Sequence, residues 1–100
     1  MRYELLIRPD ALDDIEASAD WYEAQEPGVG YEFIKVVRTT IQTIPSDFNL
    51  HRVRDMSRNI RWCYPPRFPY RIVYRVQEKQ ITILAVLHAA RHDREWKKRT

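Results

Sequence analysis

Tyr70-Arg71-Ile72-Val73-Tyr74-Arg75-Val76, followed by Gln80-Ile81-Thr82-Ile83-Leu84-Ala85-Val86-Leu87-His88, decides the fold of this chain. In the first run the even positions carry Tyr, Ile, Tyr and Val and the odd ones Arg, Val and Arg, a period of two that sets different chemistry on the two faces of a strand. Rich in Ile and Val, the second run reads as another strand. Gln77-Glu78-Lys79-Gln80 is short enough to join them as a hairpin loop. If Val76 faces Ile81, Arg75 lies opposite Thr82 and Arg71 opposite Val86, with His88 one step beyond on the same face. Arg71 and His88 are therefore expected to cluster.

Working outward, Asn59 to Tyr64 supplies a third strand, tied to the hairpin by the stiff Pro65-Pro66-Arg67-Phe68-Pro69. Pro45 to Arg58 has no clear period and reads as loop. At the other end, Tyr3 to Arg8 reads as an opening strand stopped by Pro9, with Asp10 placed to cap a helix. Leu12, Ile15, Ala19 and Tyr22 recur at helical spacing, while Asp13, Asp14, Glu16 and Glu23 take other faces, where carboxylates serve solvation. Glu26-Pro27-Gly28-Val29-Gly30 breaks the chain. A second stripe follows through Phe33, Val37, Ile41 and Ile44, widened by Ile34 and Val36 and ending at Pro45. His92 to Arg99 reads as a basic helical turn or tail. The expected architecture is α+β, one domain over residues 1–100: an N-terminal strand and an antiparallel two-helix hairpin packed on a twisted, mainly antiparallel four-stranded sheet. The other sheet face is expected to be free for function.

With 100 residues, 44% hydrophobic and 31% charged, the chain has room for one modest core. Its longest aliphatic run, Ile83 to Leu87, falls far short of the roughly 20 residues a membrane span needs, and Met1-Arg2-Tyr3-Glu4 opens no apolar leader. A lone cysteine, Cys63, cannot form an internal disulfide, so a reducing cytoplasm and a buried, inert thiol are expected. Charge divides the chain. Residues 1–50 hold 4 Lys/Arg against 10 Asp/Glu, a net of −6, and residues 51–100 hold 13 against 4, a net of +9. An acidic scaffold and a cationic surface for an anionic partner follow.

Arginine suits phosphate because its planar fork donates in pairs and stays charged, and histidine can move a proton near neutral pH. Arg71 with His88 is thus a candidate RNA-cleaving pair. His88 and His92 lack a third ligand, so neither metal nor cofactor is expected. Trp21 reads as core, whereas Trp62 and Trp96 serve packing or an interface.

Taken in order, Trp21-Tyr22-Glu23, Pro27-Gly28-Val29-Gly30, Phe68-Pro69-Tyr70-Arg71-Ile72-Val73-Tyr74 and His88-Ala89-Ala90-Arg91, with Trp96 and Arg99 at the end, resemble the RelE/ParE superfamily of bacterial toxins over nearly the whole chain. The resemblance implies a cytoplasmic toxin of a type II toxin-antitoxin (plasmid stabilisation) module, held inactive by a cognate antitoxin. ParE-like members poison DNA gyrase; RelE-like members are metal-independent endoribonucleases that cut messenger RNA on the ribosome. For the latter, Arg71, His88 and Arg91 would be the catalytic set. As target-binding residues the reading gives Arg61, Arg67, Arg71, Arg75, Arg91 and Trp96. The strand lysines of RelE-like chains fall here near Trp62 and Tyr64, and the terminal phenol is replaced by Trp96. His88 and Arg91 followed by Asp93 resemble ParE-like chains, which tilts the reading toward a gyrase poison.

Overall fold

The computed structural model describes residues 3–100. Met1 and Arg2, part of the segment read as opening no apolar leader, lie outside them. The elements run β1 (Glu4–Ile7), α1 (Pro9–Gln25), α2 (Val29–Asp47), a 3-10 turn (Phe48–Leu50), β2 (Val53–Asp55), β3 (Ile60–Cys63), β4 (Tyr70–Gln77), β5 (Gln80–His88) and α3 (Arg94–Lys97). The fold is α+β. The sheet has five strands in the order β1-β5-β4-β3-β2, one more than expected, with β1 parallel to β5 and the other pairs antiparallel.

The extra strand comes from the stretch read as loop. Asp55 closes a hairpin there by accepting from the Ser57 hydroxyl and from the backbone and guanidinium of Arg58, and Asn59 takes a left-handed φ of 53°. Nor does Pro45 end α2, which continues to Asp47. In a last turn a proline removes only one backbone bond, and the Phe48 N–H still reaches the Ile44 carbonyl. Helix α1 starts two residues earlier than the Asp10 cap implies, with Arg8 at the cap and Pro9 in the first turn, where its missing N–H costs nothing.

Helices α1 and α2 cover one sheet face. Ala11, Ile15, Ala19, Phe33, Val37, Ile41 and Ile44 pack there against Ile72, Tyr74, Val76, Ile81 and Ile83. Leu12, read as part of the stripe, is 52% exposed; Ala11 takes the inward position. The hairpin turn is held by Glu23, whose carboxylate accepts from the Gly28 and Gly30 amides at the start of α2. Gly28 adopts a φ of 94°, and a Cβ on Gly30 would stand 2.5 Å from the Ala19 carbonyl oxygen, so only glycine allows the two helices to approach this closely.

The other face is not free. Ile60, Val73, Leu84, Ala85 and Leu87 form a second apolar cluster under Trp96 of α3, which is 2% exposed. A bulge in β5 feeds this cluster: Tyr74 pairs with Ile83 but Val73 pairs with Ala85, leaving Leu84 extra. Beyond the bulge Arg71 lies opposite Leu87, and His88 opposite Tyr70. The expected Arg71–Val86 pairing, and with it the Arg71–His88 cluster, is overturned, because one inserted residue exchanges the faces of everything after it.

Strand β1 runs out opposite Ile83, which leaves the last residues of β5 without a neighbouring strand on that side. Side chains fill the gap. Asp14 accepts the Val86 N–H at 2.9 Å, and Arg99 donates to the Leu84 carbonyl at 3.0 Å and to Asp14 at 2.7 and 3.1 Å. Asp14, expected to be solvated, is instead the group that closes an open sheet edge.

Candidate functional site

Arg71 projects from β4 onto the face beneath α3, and its side chain is only 8% exposed, against the expectation of a solvent-facing arginine. It donates to Asp93 at 2.5 Å and to the Arg91 carbonyl at 2.7 Å, which engages both terminal nitrogens. Its guanidinium lies 4.8 Å from the Trp62 ring centre, and Arg54 of β2 lies 4.6 Å from the same ring. Trp62 in turn stands 6.2 Å from Trp96, over which Lys97 sits at 5.7 Å. The result is a row, Arg54–Trp62–Trp96–Lys97, in which cations flank two indoles. Arg75 adjoins it, opposite Ile60 in the ladder.

Of the other residues proposed from sequence, Arg75 and Arg71 share this face, whereas Arg61 pairs with Tyr74 and lies on the helix face, donating to the Phe48 carbonyl at 3.1 Å. Arg67 pairs with Glu32 of α2 at 2.7 Å. Arg91 is exposed and lies 3.6 Å from Glu95. Trp96 is a core residue, which resolves the packing alternative in favour of packing. Trp21, read as core, is 59% exposed and lines an open groove of about 400 Å³ with Ala17, Ser18, Tyr22, Tyr70 and His88. His88 belongs to that groove, its ring 5.4 Å from Tyr70 and its Nδ1 accepting the Ala90 N–H.

The electrostatics follow from these contacts. The Arg71 hydrogen bond holds the Asp93 carboxyl below its ordinary range, so Asp93 is an anion and a partner rather than a proton donor at neutral pH. Burial pushes the Cys63 thiol up to about 12, the inert state expected of it. Burial also raises the Tyr74 hydroxyl and lowers the His51 imidazole, whose Nδ1 meets that hydroxyl. Among the described residues no three His, Cys, Asp or Glu side chains converge as metal ligands, and no helix is long and apolar enough to cross a membrane.

Sequence reasoning missed Arg54 and the anchoring role of Asp93. The only advance signal for Arg54 was the excess of arginine in the second half, because β2 has no period of its own. Residues 5–93 match the sequence family described as ParE toxin of type II toxin-antitoxin system, parDE. A solved structure titled "Chromosomal ParDE TA system from P. aeruginosa" shares the fold with a TM-score of 0.75 at 20% identity, the match covering 86% of this chain and 95% of that one. No curated protein sequence matches.

Proposed function

The chain belongs to the family of ParE toxins of type II toxin-antitoxin systems, and from that premise we propose that it acts in the cytoplasm by binding and poisoning DNA gyrase, without chemistry of its own. Membership of a toxin-antitoxin family implies an antitoxin partner. The basic half of the chain favours one with an acidic tail.

One observation carries the choice of a binding protein over a ribonuclease, and it is the engagement of Arg71. Strand scission needs a base, an acid and a cation converging within hydrogen-bond reach of one phosphate. Here both terminal nitrogens of Arg71 are occupied by Asp93 and the Arg91 carbonyl, and His88 opens on the opposite side of the sheet. Of the cations proposed for the target, Arg67 and Arg91 are exposed and Arg61 and Arg75 are half-buried.

Induced expression should arrest bacterial growth with an early DNA-damage response while protein synthesis continues, and purified toxin should trap gyrase on cleaved DNA. Co-expression of the adjacent antitoxin should restore growth. An immediate block of methionine incorporation, with messenger cut at codon boundaries, would overturn the gyrase reading in favour of ribosomal cleavage.

A further inference from the structure

Residues 51–100 contain four carboxylates, and three of them are consumed by arginines of the same half: Asp55 by Arg58, Asp93 by Arg71 and Glu95 by Arg91. The fourth, Glu78, is exposed at the β4–β5 turn. Among the described residues Arg54, Arg75 and Lys97 have no carboxylate within salt-bridge distance, though they come from three different elements on one face. Unbalanced charge held in place is what an anionic partner needs. Arg54 is held by its indole, because a guanidinium stacked on an aromatic face keeps its N–H groups directed outward along the ring plane. Lys97 is held over Trp96, and the Arg75 side chain is buried as far as its Nε, so its stem is packed against the sheet. The acidic residues lie instead on the helical layer, where α1 alone carries Asp10, Asp13, Asp14, Glu16, Asp20 and Glu23. A polyanion therefore meets attraction on the row and repulsion from the hairpin.

We propose that Arg54, Arg75 and Lys97, set around Trp62 and Trp96, form a contact surface for the phosphodiester backbone of duplex DNA. Choosing duplex DNA among polyanions rests on the gyrase reading; the surface itself does not. Since the two indoles are covered by cations or buried, contact is to phosphates and carries no base preference.

The test is anisotropy of a labelled 20-base-pair duplex with purified toxin and no gyrase. Three phosphate contacts give a salt slope of about −2.7, or roughly 40-fold weaker binding at 200 mM than at 50 mM salt. Arg54→Gln/Lys97→Gln, two exposed positions that leave the unfolding midpoint unchanged, should reduce the slope by about 2. Lys35→Gln/Arg38→Gln on α2 should not change it. Absence of binding, or a slope insensitive to Arg54 and Lys97, overturns the proposal. So does tighter binding of single-stranded RNA, or of an acidic peptide, which would assign the row to another partner. A toxin that traps gyrase yet fails to bind duplex alone loses this surface and keeps its target; duplex binding without any effect on gyrase does the reverse.

Discussion

Arg71 on β4 and Asp93 before α3 meet at 2.5 Å across 22 residues of sequence, and this pair fastens the C-terminal segment over the second face of the sheet. A second fastening lies at the far end, where Arg99 reaches Asp14. Between them Trp96 is pressed onto Val73, Leu84 and Leu87. Arg71, expected from sequence to meet a partner, thus holds the fold together, as does Arg99.

Arg71→Ala should lower stability by about 2 kcal/mol, since it removes two charge-assisted hydrogen bonds while Asp93 keeps access to water. Arg91→Ala removes only an exposed contact and should stay within about 0.5 kcal/mol. Denaturant melts of the two variants check this. Equal midpoints would mean that Arg71 does not anchor the segment.

Two of the perturbed groups, Asp93 and His51, make stability rise with pH between the acid range and neutrality. The Asp93 pKa is depressed in the folded state, so its contribution is present above the ordinary carboxyl range of about 4 and is lost as pH falls through the lower folded value. His51 is also depressed, chiefly by burial, so folding favours its neutral form and stability declines as pH falls below about 6.5. His51→Gln should flatten the profile between about pH 7.5 and 5.5, and Asp93→Asn should flatten the acid limb. A wild-type slope that survives His51→Gln would show that another group titrates there.

Asp14 and Arg99 should be coupled. A double-mutant cycle with Asp14→Ala and Arg99→Ala should return an interaction of about 1–2 kcal/mol. Asp14→Ala should be the more damaging single change, because it also strands the Val86 amide. Hydrogen exchange at Val86 reads that directly, and its protection should fall in Asp14→Ala.

Gly30→Ala would drive a methyl into the Ala19 carbonyl and the Glu23 side chain, and should cost about 1–3 kcal/mol. Trp96→Ala, which empties the site over the second cluster, should cost about 3–5 kcal/mol. Calorimetric melting would reveal either substitution as neutral if these contacts were loose.

By itself the sequence determined the layers. The apolar stripe from Phe33 through Ile44 and the alternation from Tyr70 to Val76 are local periodicities, and burial of a helix stripe against a strand face leaves little choice of partner. Segregation of charge into an acidic first half and a basic second half was equally plain, because it is a count. Tertiary structure alone decided which arginines are available. The Leu84 bulge, which exchanges the faces of the last β5 residues, follows from the packing of Leu84 and Ala85 under Trp96, and no alternation in a nearly unbroken aliphatic run marks where it occurs. Strand β2 exists only because β3 offers it an edge, and that edge carries Arg54 to Trp62. Asp14 and Arg99 are 85 residues apart, joined because β1 stops short of the end of β5 and leaves backbone groups that must find partners. Long-range requirements of this kind depend on where elements end in space, which residue spacing does not encode.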